Sequence, residues 1–276
     1  MWLNALFDWL HVPVFGLIAV AVYVITPQSW QHWRRFAAAF LAAVLMGILT
    51  EAIQIPMQRD AAWEDVVADG IGAAAFLLVV FAIGRGLLGA SLAVLAAICL
   101  VAYSAQSLFS ATLAIYHREA QFPTLFSGDI GLERPFVAER NVELTTHITP
   151  PPVRTYFRVE VTEKGEPTLE FHDFKRDWSN YRALHLEIEV EGDTGLDLTI
   201  RVHDRLHQQR GQMNGDRFSQ PLALQPGVNQ IAIPIEAIRN APAGRTIDAS
   251  RIAAIIIYGR DVEPGRVFRL YEVWLD

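Results

Sequence analysis

The chain has 276 residues, 52% of them hydrophobic, and a formal net charge of -7, but these averages cover two unlike stretches. Residues 1–116 carry four Arg, no Lys and six acidic side chains, a charge of -2, whereas 117–276 carry 19 basic and 24 acidic ones, a charge of -5. That mildly acidic, sign-mixed half offers no basic stripe to a phosphate backbone, which excludes nucleic acid as a partner, and the single Cys99 excludes an intrachain disulfide.

Four segments reach the roughly 20 apolar residues that a bilayer span requires. The first covers residues 12–25 and is extended upstream by Leu3, Leu6, Phe7 and Leu10, with Pro13 marking either a kink or the true start. No basic stretch precedes it and no small-residue cleavage site follows, so it reads as a retained helix and not as a signal peptide. The others cover 36–55, 66–83 and 87–109. Arg34 and Arg35 occupy the first loop and Arg85 the third, while Arg59 in the second is surrounded by Asp60, Glu64 and Asp65. The positive-inside rule then sends the N-terminus, the second loop and the whole C-terminal half outside.

Polar side chains gather around that second loop. Glu51 and Gln54 are three apart and share a helix face near the end of the second span. Asp65 and Asp69 are four apart at the start of the third, followed by Gly70 and Gly72, which permit close helix approach. With Arg59, Asp8 and His11 they are expected to converge on one polar pocket at the outer membrane surface. A buried Glu51 needs a partner, and Arg59 or His11 is the expected one. Three readings compete: a lock between helices, a site for a lipid or glycan head group, and catalysis with Glu51 and Asp65 as acid and base. No zinc-spaced histidine pair and no Ser or Cys nucleophile with a nearby base accompanies them.

The stretch GILTEAIQIPMQRDAAWEDVVADGIG resembles the VanZ-like membrane proteins over about residues 8–85. The matching residues are Glu51, Gln54, Arg59, Asp65 and Gly72. Asp69 stands where that family usually has Asn, Trp9 where its Asp-Lys-x-x-His pattern has Lys, and the family's usual first span is missing. The resemblance implies a cell-envelope setting and no particular reaction.

From residue 117 the pattern changes. Residues 117–154 read as a juxtamembrane linker and domain entry, turn-rich around PTLFSGDIG and closed by Pro150, Pro151 and Pro152. Strands follow at 156–161, 168–171, 184–190, 196–202, 229–235, 252–258 and 267–275, with one helical turn at 235–240. Seven short strands without intervening helices specify an all-β jelly-roll sandwich behind the transmembrane helical bundle. Leu184, Leu186, Ile188 and Val190 alternate with His185, Glu187 and Glu189, and Leu196, Leu198, Ile200 and Val202 with Thr199, Arg201, His203 and Arg205. If those two strands pair, opposite charges meet across the sheet. The loop from Asp204 to Gln220 is long and polar, placing Arg205, His207, Asp216 and Arg217 over a sheet edge.

A saccharide is held by planar polar groups and an aromatic face, and Trp178, Tyr181 and Tyr258 are the candidate rings. Arg201, His203, Arg205, Arg217, Trp178 and Tyr258 are therefore the candidate ligand-binding residues. Core packing of Trp178 and pairing of the arginines with Asp204 and Asp216 are the structural alternatives. DWSNYRALHLEIEV, LTIRVHDR, LQPGVNQIAIPIEAI, IDASRIAAIIIY and RLYEVWL resemble the galactose-binding-like sandwiches of carbohydrate-binding modules over about residues 155–276. The resemblance implies a structural calcium, for which Glu272 is the candidate ligand, and no other cofactor; no EF-hand loop is present.

Taken together, the expectation is a multi-pass protein of a bacterial-type inner membrane, with a VanZ-like helical domain at 1–116, a linker at 117–154 and an extracytoplasmic sandwich at 155–276. The sandwich binds glycan or lipid-linked saccharide near the bilayer. Binding is placed ahead of catalysis, with two alternatives: an enzyme acting on lipid-linked glycan, and an assembly factor for another envelope protein.

Overall fold

The structure, a computed structural model, describes residues 2–54, 63–83, 85–128, 130–149, 153–174, 177–211 and 215–276. The chain divides into two compact units, Met1–Thr112 and Leu113–Asp276.

The first unit is helical: α1 (Trp2–Ile25), α2 (His32–Gln54), α3 (Trp63–Ala82) and α4 (Leu87–Ser104). All four are long and apolar enough to cross a membrane. Pro13 lies inside α1, which begins at Trp2 and continues past it. The fourth helix stops at Ser104, earlier than expected, and α5 (Gln106–Gln121) follows, containing the boundary between the two units.

The packing inverts that of a water-soluble bundle. The buried cluster is Phe15, Ala19, Ala39, Ala43, Ala73 and Leu77, while Phe7, Leu17, Leu41, Leu45, Leu49, Leu88 and Leu95 are exposed. Small residues inside and large apolar ones outside suit a lipid solvent, where helices associate by close packing and not by hiding apolar surface. Glycines set the approach. A Cβ on Gly72 would strike the main chain of α1 at Val12, one on Gly16 the ring of Phe76, and one on Gly47 the carboxylate of Asp69.

The second unit is a sandwich of two antiparallel sheets. One has the order β3 (Val142–Ile148), β4 (Thr155–Val161), β11 (Val267–Leu275), β6 (Ala183–Val190) and β9 (Gly227–Pro234), with β1 (Thr124–Phe126) also on β11. The other runs β2 (Val137–Arg140), β5 (Thr168–His172), β10 (Ile252–Gly259), β7 (Leu196–Asp204) and β8 (Phe218–Leu224). Short helices α6 (Ile130–Glu133), α7 (Arg205–Gln209) and α8 (Ile235–Arg239) lie between strands. Between the sheets lies one continuous core that includes Phe157, Leu186, Ile188, Ile200, Ile255 and Trp178.

Two expectations are corrected. Residues 117–154, expected as a juxtamembrane linker and domain entry, are more than an entry: they supply the end of α5 and the strands β1, β2 and β3, while Pro150, Pro151 and Pro152 lie outside the described residues. The chain passes from β2 in one sheet to β3 in the other at Asn141, whose φ of 57° is a left-handed conformation that Asn tolerates. Nor do β6 and β7 pair; they belong to opposite sheets and bring their apolar faces together across the core. A crossover and a hairpin demand the same alternation, so the pattern alone does not separate them.

The glycines of α3 provide a paired test. Gly72→Ala forces helix backbone apart and should lower the stability of the detergent-solubilised protein by about 1–3 kcal/mol. Gly70, whose nearest would-be neighbour is Val44 at 3.8 Å, should accept Ala with no loss. Thermal unfolding of the two variants in one detergent checks this, and equal melting temperatures would rule out the close approach.

Candidate functional site

Residues that alternate with the core set emerge on the outer face of the β2-β5-β10-β7-β8 sheet, and pairing aligns them in rows. One row reads Ala138, Glu170, Ile256, Arg201 and Ser219. The next, two residues along, reads Arg140, Thr168, Tyr258, Thr199 and Pro221, and on the other side lie His172, Ala254 and His203. Over these rows lies a depression of about 470 Å³, lined among others by Glu170, Arg201, His203, Gln208, Arg217 and Tyr258.

One end of the face is built by the helix that follows β7. Asp204 caps α7, accepting from the His207 amide at 3.0 Å, and is itself fully buried. Arg245 grips both its oxygens, Nη1 to Oδ2 at 2.7 Å and Nη2 to Oδ1 at 2.9 Å, and the Asp248 amide adds a fourth donor at 2.9 Å. Arg245 also pairs through Nε with Asp216. Burial alone would raise the Asp204 pKa, but these donors hold it below the ordinary carboxylate range; the Arg245 hydrogen bond does the same for Asp216. The Arg245 guanidinium is correspondingly pushed up.

Fixed in this way, α7 sets His207 over His203, with ring centroids 4.8 Å apart, and presents His207 Nε2 to Arg201 Nη2 at 3.0 Å. His203 is only 3% exposed although it stands on the outer face. Burial, then the charges of Arg201 and His207, depress its pKa to about 4. Burial and the neighbouring Arg217 lower that of Arg201.

Arg201, His203, Arg217 and Tyr258 thus meet at one depression. Arg205 is exposed and lines a neighbouring one with Glu170, His172 and Gln208. Trp178 is a correction: it is 1% exposed, packed edge-on against Phe174 in the core, and cannot reach a ligand. Glu272 accepts from Thr124 at 3.0 Å, and among the described residues no group of three or more His, Cys, Asp or Glu is placed to hold a metal ion. Sequence reasoning missed Glu170, Thr168, Gln208 and Arg140. Alternation in TLEFH puts Thr168, Glu170 and His172 on one face, but only the register of β5 on β10 sets Thr168 beside Tyr258 and Glu170 in the row of Arg201, across Ile256.

In the helical unit, His11 Nδ1 lies 2.8 Å from Asp69 Oδ1 and its Nε2 3.9 Å from Asp65 Oδ2. Asp69 is fully buried in the notch left by Gly47. Gln54 donates to the buried Glu51 at 3.2 Å. Asp8 lines a separate depression of about 820 Å³ with Trp9, Trp63, Asp65 and Tyr103. Arg59 lies outside the described residues. The arrangement ties α1 to α3 through a part-buried hydrogen bond between His11 and Asp69 and brings Asp65 to His11.

No protein-family model matches the chain, the VanZ-like one included, and no curated protein matches it. Solved structures similar to its C-terminal part include an exo-beta-agarase, 12% identical with a TM-score of 0.44, covering 55% of this chain and 25% of that one. Another is a family 11 carbohydrate-binding module from Clostridium thermocellum, in complex with a beta-1,3-1,4-mixed-linked tetrasaccharide; it is 14% identical with a TM-score of 0.39, covering 51% and 88%. A family 30 carbohydrate-binding module is 13% identical with a TM-score of 0.39, covering 51% and 92%. This chain therefore spans a quarter of the agarase, and at these scores the likeness carries no argument about a ligand.

Titration of His203 is testable. Because its folded pKa of about 4 lies below the roughly 6.5 of a free imidazole, the unfolded chain takes up the proton first as pH falls. Stability present above pH about 6.5 is lost on the way down to about 4, by an amount on the order of 3 kcal/mol. Asp204 acts in the same direction only below the ordinary carboxylate range, so this window belongs to the histidines. Hydrogen exchange of β7 and β10 amides across it should show a shallower slope in His203→Gln, the remainder belonging to His207, whose pKa is also lowered.

Proposed function

We propose that this is a membrane-anchored glycan-binding protein whose outer β2-β5-β10-β7-β8 face holds a saccharide. The observation that carries the reading is the alignment of Thr168 and the Tyr258 ring in one row with Glu170 and Arg201 in the next, at the floor of one depression. An aromatic face packs on the apolar side of a pyranose, while a carboxylate accepts from, and a guanidinium donates to, ring hydroxyls. The four apolar helices hold this face near a bilayer, where tethering raises the effective concentration of a weak binder toward surface or lipid-linked sugars. The bias of Arg34, Arg35 and Arg85 toward alternate loops supports a C-terminal half on the outer side of a bacterial-type inner membrane, and the buried His11–Asp69 pair supports a structural part for the helical polar cluster.

The full chain in detergent micelles, applied to a glycan array, tests this. Binding should appear, and Tyr258→Ala should weaken it at least about tenfold, or 1.4 kcal/mol, with unchanged thermal unfolding. A folded protein that binds no glycan, or a Tyr258→Ala variant that binds as well as the parent, sinks the assignment.

A further inference from the structure

The Arg201 end of the face carries more positive charge than hydroxyl recognition needs. Among the described residues, Arg201 makes its one hydrogen bond to His207 Nε2, an acceptor that is uncharged when it accepts, and no carboxylate lies within ion-pair distance of it. Its Nε is buried without a partner. Arg217 stands close enough for its charge to disfavour that of Arg201. Of the nearby acids, Glu139 pairs with Arg134 and Glu166 lies 3.7 Å from Arg140, while Glu170, across β10 on the far side of Ile256, favours the Arg201 charge by less than burial and Arg217 disfavour it. His203, almost wholly buried, borders the same depression with an unpartnered Nδ1. Arg201 and Arg217 line the same depression and their like charges oppose each other, so an anion between them removes that opposition and gives the buried Arg201 an acceptor.

Resting on the glycan-binding reading, we infer that the preferred saccharide is acidic, with an oxyanion on its sugar ring seated between Arg201 and Arg217. Arg presents a planar fork that matches a carboxylate or a sulfate or phosphate ester. Glu170, two strands away, repels that group and accepts from hydroxyls, so the sugar lies across β10 in one direction, acidic end toward β7.

Titration of the full chain in detergent with a uronic-acid tetrasaccharide, a sulfated tetrasaccharide and a neutral tetrasaccharide is the test. An acidic ligand should bind at least about tenfold tighter than the neutral one, with a preference that declines as salt is raised. The uronic and sulfated arms separate a planar from a tetrahedral oxyanion. Arg201→Gln and Arg217→Gln should each weaken the acidic ligands more than the neutral one, reducing that preference toward unity with thermal unfolding unchanged, and Arg201→Lys should restore part of it. Equal or tighter binding of the neutral sugar overturns the inference and leaves the glycan reading standing. So does an acidic preference that survives Arg201→Gln in a folded protein. Absence of binding by all three sugars overturns both.

Discussion

The outer face of the sandwich depends on one buried carboxylate. Removing Asp204 from water costs several kcal/mol, and only a full set of donors offsets this; it has four, two from Arg245 and two from the amides of His207 and Asp248. Those donors come from two separate places in the chain, so satisfying one charge fixes α7 and the Arg245–Asp248 stretch against the end of β7. From α7, His207 reaches Arg201; from Arg245, the second pairing reaches Asp216, the residue before Arg217. One guanidinium, that of Arg245, thus holds both the helix from which His207 reaches Arg201 and the residue that precedes Arg217.

The cost of that construction is visible in the histidines. His203 would lie on an open sheet face by strand alternation alone, and it is buried because α7 lies over it. Covered and flanked by Arg201, it stays neutral, which spares the site a third positive charge at neutral pH. The Nδ1 of His203 and the Nε of Arg201 are both buried without a partner in residues that line the depression, where an apolar lining would have been cheaper for folding.

What was legible in the chain follows strand position. Central strands, apolar on the core side and polar outside, declare themselves by alternation, and LDLTIRVHD placed Arg201 and His203 on the face where they stand. Edge strands do not. In β3 only Val142 is buried, and β8 contains Pro221, which argues against a strand except at an edge, where it in fact lies. Trp178 has the composition of a binding ring and the burial of a core plug, and no local signal distinguishes the two. Arg245 was invisible for a different reason: 41 residues separate it from Asp204, and neither sits in a motif.

The helical unit meets the same problem with fewer means. Asp69 is as buried as Asp204, yet His11 supplies its hydrogen bond, and its other oxygen rests against Gly47. Gly47 is thus coupled to Asp69 across α2 and α3: any side chain there would occupy the carboxylate's place, and His11 would lose the group that orients its ring. The same helices carry Gly72 against the backbone of α1, one turn of helix from the residue that holds His11. Close packing and the polar cluster are consequently one arrangement, in which glycines admit a carboxylate where a larger side chain would leave no room. A substitution that loosens α3 from α1 removes both the packing and the polarity, so the cluster is explained first by how three helices are held together.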